Sequence, residues 1–561
     1  MTAETIRSQS GRWRIPRLDG WTWGAVAVAG VVALPVLSVL LVALQPSGDV
    51  WAHLLNTVLW RYSANTLVLL LGVGAGVLTL GVGTAWLVTM CRFPGARLLE
   101  WALLLPLAFP TYVIAIVYVE QLEYAGPAQG WLRALMGWQT PRDYWFPEIR
   151  SIGGAIVVLS LVLYPYVYLL ARAAFLDQSV CALEVSRSLG RGPWRSFATT
   201  ALPMARPAIV VGLALALMEV LNDIGAVQQF AIPTFTTGIY DVWLGMHNAP
   251  AAAQLASLLL MFVLVLIGLE RASRHRRRYH QPSRRYRALP GYRLTGWRRP
   301  AALLACLLPV LLGFVWPALV LADWAWSTAA SVSRQRFLAD VTNTLALAAV
   351  AASLAVAVAV YLGYALRLSR GPVLTAAVRL ASTGYAVPGS VIAVGVLLPF
   401  AWTDHAINAG AEALFGTSTG LLLSGTVAAV SFAYLVRFLA LSFGSVEASL
   451  GRITADMDGA ARTLGHGPLG TLRLVHLPLI RGGVLTGALL VFVDVMKELP
   501  ATLVLRPFNF STLATRIYEY ASDERFEECG LWALAIVVTG ILPVILLSLG
   551  IRRSRPGSRS P

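Results

Sequence analysis

The sequence predicts an all-α polytopic membrane protein with twelve transmembrane helices, arranged as two pseudo-symmetric halves of six. Three observations lead to this prediction: the composition, the recurrence of long apolar runs, and a repeat that includes two matching polar loops. The 561 residues are 57% hydrophobic and only 13% charged, whereas soluble domains are about a quarter charged.

Twelve apolar runs approach the ~20 residues that a helix needs to cross a bilayer. The first run follows a basic N-terminal segment and is longer than a typical signal-peptide core, so we expect a retained span. The predicted spans are residues 22–44, 64–90, 99–119, 152–172, 207–229, 252–270, 301–323, 342–366, 379–400, 420–441, 482–505 and 531–551.

Arginines are concentrated in alternate loops. Basic residues favour the cytoplasmic side, so we expect a multi-pass protein with both termini in the cytoplasm. The net charge of +16 then reflects topology, and we expect no nucleic-acid partner. Residues 271–299 contain eleven arginines and no acidic residue, which indicates a cytoplasmic linker attracted to anionic membrane lipid.

The chain repeats itself. The tripeptide Asn-Thr-Leu at residues 65–67 returns at residues 343–345, and Pro110 returns as Pro388, each 278 residues later. Further landmarks match at an offset of 275. Parallel repeats of this kind imply a pseudo-twofold axis along the membrane normal. We therefore predict a first half at 1–270, an Arg-rich linker at 271–299 and a second half at 300–561.

Two polar loops interrupt the apolar sequence at residues 183–203 and 458–478. Gly190 and Gly465, which match at the offset of 275, suit the left-handed position that ends a helix. Each is followed two residues later by a Gly-Pro pair, and proline suits the first turn of a new helix. Each loop therefore predicts a short helix, a tight turn and a second short helix, and together they predict two matching docking surfaces.

The sequence carries no sign of an enzyme. Its only lysine, Lys497, does not follow a glycine-rich loop, so a Walker A phosphate site is excluded. The histidines are scattered without an HExxH pattern, and no GxSxG elbow occurs. Four cysteines without a CxxC pair indicate neither a disulfide framework nor a zinc site. We expect a non-enzyme without a cofactor of its own and without a stably bound metal.

Ionisable residues lie inside the fifth and eleventh predicted spans, where their cost makes a functional role the first hypothesis. Glu219 and Asp223 are four residues apart, as are Asp494 and Glu498, so each pair should lie on one helix face. One interpretation is a substrate pathway formed by these four residues and Lys497. The other is a structural cluster in which Lys497 neutralises Asp494 or Glu498 and holds the two halves together.

Two further expectations concern the same spans and their neighbours. Gly225 and Pro500 follow the two acidic pairs at equivalent positions, and both weaken a helix, so that backbone carbonyls become free near a cavity. Arg172 and Arg437 lie near the inner ends of their spans, where we expect them to extend towards the membrane surface.

The two polar loops resemble the EAA motif of bacterial ABC importer permeases: Glu-Ala-Ala, three residues, Gly, and a later Leu-Pro. Here the motif reads EVSRSLG from Glu184 and GAARTLG from Gly459. In that family the loop is a coupling helix seated in a groove of a cytoplasmic ATPase. The resemblance places the loops at about 176–206 and 451–481. It implies ATPase coupling for Glu184, Arg187, Gly190, Gly192, Pro203, Asp458, Gly459, Arg462, Gly465, Gly467 and Pro478.

Residues 495–503 and 505–524 resemble the fused permeases of ferric iron importers, as do residues 235–240 with Trp243. The resemblance implies a permease of the bacterial inner membrane. It also implies two copies of a cytoplasmic ABC ATPase, which would carry the ATP and Mg, and an external iron-binding protein. Thiamine, a polyamine or a phosphonate stays open as the substrate. A gradient-driven secondary transporter is the alternative class, although the paired loops would have no use in it.

The second loop departs from the motif, because Gly459 stands where the family has Glu. Glycine inside a helix costs ~1 kcal/mol relative to alanine, and the carboxylate is lost. The neighbouring Asp458 points about 100° away around the helix. We therefore expect the two ATPase copies to dock unequally.

Overall fold

A computed structural model of the chain describes residues 20–177, 188–190, 192–275, 292–369 and 371–553. Ten helices in these ranges are long and apolar enough to cross a membrane, or eleven if a pair bent by 89° counts as one span. The predicted all-α polytopic membrane protein is confirmed, whereas the number twelve remains a prediction. The described ranges contain one short strand pair, in which Cys91–Arg92 (β1) runs parallel to Tyr292–Arg293 (β2).

The N-terminal part, residues 20–275, contains twelve described α-helices. They are α1 Gly20–Ala43, α2 Asp49–Thr57, α3 Leu59–Met90, α4 Ala96–Ala102, α5 Thr111–Leu122, α6 Pro127–Met136, α7 Ile152–Asp177, α8 Pro193–Ser196, α9 Leu202–Asn222, α10 Gly225–Gln229, α11 Phe235–Tyr240 and α12 Ala249–His275. A 3₁₀ turn at Leu105–Ala108 and π-helical turns at Phe197–Ala201 and Asp241–Gly245 complete this part.

The C-terminal part, residues 292–553, also contains twelve described α-helices. They are α13 Arg298–Val310, α14 Trp316–Thr328, α15 Arg334–Leu368, α16 Pro372–Ala381, α17 Gly389–Phe415, α18 Val427–Leu450, α19 Ala455–Thr463, α20 Pro468–Thr471, α21 Leu477–Met496, α22 Pro500–Leu505, α23 Leu513–Ser522 and α24 Gly530–Arg553. The connecting turns are the 3₁₀ turns Gly384–Ala386 and Glu527–Cys529 and the π-helical turns Leu311–Val315 and Leu472–His476.

Equivalent helices pack in the same way in the two parts. Helices α3, α7 and α9 pack on one another, and α15, α18 and α21 do the same. Helix α1 crosses over to contact α16 and α17, while α14 contacts α5 of the N-terminal part as well as α24. The two parts are therefore interlocked through these helices rather than touching along one surface.

The repeat extends to individual hydrogen bonds. The side-chain amide of Asn65 donates to the carbonyl of Pro233 over 2.9 Å, and that of Asn343 donates to the carbonyl of Ser511 over 3.1 Å. Both partners of the second bond lie 278 residues after those of the first. Reciprocal threonine capping boxes also start α11 and α23.

Two predicted spans are broken where the sequence suggested continuous helices. The third span bends by 89° between Ala108 and Thr111. The ninth span, predicted from residue 379, is wrong at its start, because α16 ends at Ala381 and α17 begins at Gly389. Pro110 and Pro388 stand at these breaks, and the residue before a proline is disfavoured in helical conformation. The repeated proline therefore breaks both parts at the same place.

Candidate functional site

The turn glycines of the two polar loops adopt the predicted geometry. Gly190 has φ 74° and Gly465 has φ 81°, which is the left-handed region that glycine enters without a steric penalty. After α19, the N–H of Gly465 donates to the carbonyl of Arg462 and that of His466 donates to the carbonyl of Ala461, each over 3.0 Å. These two bonds form the usual glycine-terminated helix end, so this prediction is confirmed.

The second helix of each loop is not short, in contrast to the prediction. Helical structure starting near Pro193 and Pro468 runs through one π-helical turn into α9 and α21, giving continuous spans that end at Asn222 and Met496. Pro203 and Pro478 lie two residues after the π-helical turns end. Because proline has no N–H to donate to the preceding turn, a locally widened helix accommodates it. Each loop is therefore coupled directly to a membrane-spanning helix.

A clamp holds the second loop against the end of α15. The Asp458 carboxylate accepts from Nε of Arg367 over 2.8 Å and lies 2.7 Å from Nε2 of His476. Arg367 also donates to the carbonyls of Leu450, Ile453 and Thr454. Burial raises the pKa of Asp458, but the hydrogen bonds from Arg367 and His476 outweigh it and hold the pKa below its usual range. This clamp was not predicted from the sequence, in which loop arginines such as Arg367 indicate membrane topology.

Both loops expose apolar side chains at equivalent positions. Leu189 and Leu464, which precede the turn glycines, are 68% and 76% exposed. Trp194 and Leu469, directly after the prolines, are 65% and 63% exposed. Each pair is related by the offset of 275. Exposed apolar patches at matching positions are what a pair of protein-docking surfaces requires.

The remaining predicted loop residues fall into two groups. Gly192, Gly459, Arg462 and Gly467 lie on exposed loop surface, and a Cβ added to Gly459 would meet nothing within 4 Å. Glu184 and Arg187 lie outside the described residues, as does most of the Arg-rich linker (residues 276–291).

The acidic pairs do not lie on single helix faces, in contrast to the prediction. Helix α9 ends at Asn222 and α21 ends at Met496, so Asp223 and Glu498 stand in the break before the next helix. Asp223 Oδ1 accepts from the N–H of Ala226 over 2.7 Å, and Glu498 Oε1 accepts from the N–H of Ala501 over 3.1 Å. Each carboxylate therefore caps the start of the next helix by accepting from a backbone N–H that the new helix leaves free.

The structure nevertheless brings all five predicted pathway residues to one cavity. This cavity has a volume of about 70 Å³, which is room for a few waters. Its polar lining comprises Glu219, Asp223, Asp494, Lys497 and Glu498, together with Thr111, Tyr112, Tyr166, Asn222 and Arg437. Within the described ranges, no group of three or more His, Cys, Asp or Glu side chains is placed to hold a metal ion.

Lys497 pairs with Asp494, as one of the two interpretations expected. Its Nζ lies 2.8 Å from Asp494 Oδ1. Glu219, at the position equivalent to Asp494, instead accepts a hydrogen bond of 2.9 Å from the hydroxyl of Tyr385 in the C-terminal part. The two equivalent carboxylates therefore have partners of different charge.

Arg437 does not extend towards the membrane surface, so that expectation is wrong. Only 4% exposed, it donates to Asn222 Oδ1 over 2.5 Å and lies 3.7 Å from Glu498 Oε1. Arg172 is also buried and pairs with Glu100. Burying a guanidinium is tolerated only when it is paired, and both arginines find carboxylates.

The backbone at the start of α17 completes the cavity wall. The N–H of Gly389 donates to Asn222 Oδ1 over 2.7 Å. A Cβ on Gly389 would lie 2.6 Å from Glu498 Oε1 and 2.7 Å from Arg437 Nη1, so a side chain does not fit there. Asn222 thus receives two donors from the C-terminal part, and the two parts are in direct polar contact at the cavity.

Comparison with known proteins gives a consistent group of relatives. A family model described as "Binding-protein-dependent transport system inner membrane component" matches residues 77–279. The chain is similar to the Fe(3+)-transport system permease protein FbpB 2 of Haemophilus influenzae, with 26% identity over 474 residues that cover 82% of this chain and 84% of the relative.

Two shorter relatives have names that refer to anions or metals other than iron. The molybdenum transport system permease protein ModB of Escherichia coli is 30% identical over 202 residues, covering 34% of this chain and 85% of the relative. The sulfate transport system permease protein CysT of Escherichia coli is 28% identical over 188 residues, covering 33% of this chain and 65% of the relative.

Proposed function

The chain belongs to the binding-protein-dependent transport system inner membrane component family, and from this premise we propose that it is the permease of an ATP-driven ferric iron importer. Its partners are two copies of a cytoplasmic ABC ATPase and an external substrate-binding protein. The chain sits in the bacterial inner membrane with both termini in the cytoplasm. ATP and Mg bind to the ATPase, so this chain hydrolyses nothing.

The ATPase docks on the two polar loops. Support comes from the exposed apolar pairs, Leu189 with Trp194 and Leu464 with Leu469, at equivalent positions. Helices α8 and α20 lead without interruption into α9 and α21, whose far ends carry the cavity carboxylates. Because helices transmit displacement along their axes, movement of the docked ATPases reaches the cavity directly.

Transport proceeds by alternating access between two halves of six spans each. The cavity residues Glu219 and Asn222 contact Tyr385, Gly389 and Arg437 across the boundary between the N-terminal and C-terminal parts. These bonds hold the cavity closed. Closing of the ATPases on ATP breaks them on one side and opens the cavity to the substrate, which enters between the separated halves.

One observation favours a cation as the substrate. Four carboxylates and two basic side chains line the cavity, so its walls carry a net negative charge of about two when all groups are ionised. An oxyanion would be repelled by such walls, whereas Fe(III) is a hard cation that prefers oxygen ligands. The similarity to an iron permease over most of the chain selects iron among the cations.

The substrate assignment is tested by uptake in a strain that lacks the chromosomal gene. Cells carrying the gene on a plasmid are given radioactive Fe(III), molybdate, sulfate or thiamine in separate assays. We expect ATP-dependent accumulation of Fe(III) alone. Uptake of molybdate or sulfate instead would assign the chain to oxyanion import, and uptake that persists without any ATPase subunit would indicate a gradient-driven carrier.

The docking assignment is tested by co-purification. A soluble ATPase should co-purify with the wild-type chain from native membranes. It should not co-purify with the double variant G190V/G465V. Both glycines have positive φ, which valine adopts only with strain. The matched control is G137V/G416V, because these two glycines also have positive φ but lie outside the polar loops. Retention of the ATPase by G190V/G465V would contradict docking at the loops.

A further inference from the structure

The cavity is built from two helix breaks that are equivalent in the repeat but carry different charges. In the C-terminal break, Asp494 lies against Lys497 and Glu498 lies against Arg437. Each carboxylate there has its own basic partner. Since a buried ion pair is close to neutral as a unit, this wall of the cavity is internally compensated.

The N-terminal break has the same carboxylates without the bases. The residue equivalent to Lys497 is Asn222, at the offset of 275. In the described part of the chain, no Arg, Lys or His side chain forms an ion pair within 4 Å of Glu219 or Asp223. Their hydrogen-bond donors are neutral groups, the Tyr385 hydroxyl and the Ala226 N–H. The two cavity carboxylates without a direct basic partner therefore both belong to this wall.

A second observation points to a ligand at this wall. Tyr112 is only 5% exposed and lines the same cavity, yet its hydroxyl has no hydrogen-bond partner among the described residues. A buried hydroxyl without a partner costs about 1–3 kcal/mol, so such groups normally face bound water or a ligand. The Cβ of Tyr112 packs against Gly225, and in the same break Asp223 Oδ2 is also buried without a hydrogen-bond partner among the described residues.

We propose that the two breaks have divided their roles: Glu219, Asp223 and Tyr112 bind the transported cation, while Asp494–Lys497 and Glu498–Arg437 are structural pairs. The ligand class is a hard cation that takes oxygen donors, such as a trivalent metal ion. The inference rests on the proposed function for calling this cation the transported one. It narrows a symmetric acidic pathway to one wall of the cavity.

The test compares two double variants of the purified full-length chain in lipid nanodiscs. Tb(III), a hard trivalent cation whose luminescence nearby aromatic rings sensitise, is titrated into wild type, E219Q/D223N and D494N/E498Q. E123Q is the control, since Glu123 pairs with Arg150 outside the cavity. We expect E219Q/D223N to lower Tb(III) affinity about 100-fold, roughly tenfold per carboxylate, and D494N/E498Q to lower it far less per folded molecule.

Two results would overturn the proposal. One is Tb(III) binding by E219Q/D223N as tight as by wild type. The other is an equal loss of Tb(III) affinity in both double variants, which would show that the two pairs of carboxylates bind the cation equally. Absence of Tb(III) binding by wild type would also overturn it and would indicate that protons neutralise Glu219 and Asp223.

Uptake of radioactive Fe(III) by the same variants separates this inference from the proposed function. If wild type and E219Q/D223N accumulate Fe(III) at equal rates, the inference fails and the proposed function stands. If wild type binds Tb(III) through Glu219 and Asp223 but accumulates no Fe(III), the cation site stands and ferric iron import fails.

Discussion

The N-terminal and C-terminal helix breaks share a backbone design and differ in their charges. In both, a spanning helix ends at the cavity and a carboxylate accepts from the N–H three residues later, Asp223 from Ala226 and Glu498 from Ala501. In the C-terminal break, Lys497 pairs with Asp494 and Glu498 lies 3.7 Å from Arg437 of α18. In the N-terminal break, the contact of Arg437 is the neutral Asn222. The repeat therefore preserves the capping geometry, which the fold needs, while the charges that surround it have diverged.

This difference teaches that an acidic residue in a membrane helix has two separable roles. The carboxylates at 223 and 498 terminate and restart a helix, and this role requires only an acceptor. Attraction of a cation requires in addition that no base is paired with the carboxylate. If the C-terminal charges are structural, substitutions there should lower the stability of the chain, most of all at Arg437.

Arg437→Met should give the largest loss of stability. It leaves Glu498 buried without a base, and it removes the guanidinium that donates to Asn222 Oδ1 over 2.5 Å. Removing one partner of a buried ion pair lowers the free energy of unfolding by ~3–5 kcal/mol. The measurement is thermal unfolding of the purified chain, with the exposed Arg379→Met as the matched control. Equal melting temperatures for the two variants would show that Arg437 has no structural role.

Asp494→Asn should have a smaller effect, because Lys497 and Asp494 are both about one-fifth exposed. Leaving Lys497 without its carboxylate costs about 1–3 kcal/mol. Removing both charges in D494N/K497M should recover most of that loss, since the pair is compensated as a unit. Thermal unfolding of the single and double variants measures the coupling. A double variant less stable than D494N would contradict the structural role of the pair.

Two glycine-to-alanine variants should change stability in opposite directions. A Cβ at Gly389 would lie 2.6 Å from Glu498 Oε1, so G389A should destabilise by about 1–3 kcal/mol through overpacking. A Cβ at Gly459 meets nothing within 4 Å, so G459A should stabilise by ~1 kcal/mol through helix propensity. Changes of the same sign in thermal unfolding would contradict the close packing at the cavity.

Much of the fold follows from local sequence. Hydropathy predicted membrane-spanning helices, ten of which are long and apolar enough in the described residues. The Gly-x-Gly-Pro pattern predicted the left-handed turns at Gly190 and Gly465. The five pathway residues line one cavity, and Glu219 and Asp223 there occupy positions equivalent to Asp494 and Glu498 in the repeat. The Asp494–Lys497 pair could also be predicted from the sequence, since residues three apart are neighbours on a helix.

The partners from other spans could not be predicted in this way. Tyr385 and Arg437 reach Glu219 and Asn222 across the boundary between the two parts, and local periodicity carries no information on such contacts. One signal for Arg437 was present, because an ionisable residue inside a span is a functional candidate. The capping role of Glu498 was also signalled by Pro500, a residue typical of the first turn of a helix.

The central claim is that transport requires the two halves to part around the cavity. Tyr518 in the C-terminal part donates to Gln228 Oε1 in the N-terminal part over 2.6 Å, and neither residue lines the cavity. The variant Q228C/Y518C, with the native cysteines changed to serine, can therefore be cross-linked across this boundary with a short, reducible bifunctional reagent. The single-cysteine variants serve as controls for modification without cross-linking.

We predict that the cross-linked protein loses Fe(III) uptake and regains it when the linker is reduced, while both single variants keep transporting after treatment. Undiminished uptake by protein shown to be fully cross-linked would contradict alternating access between these halves.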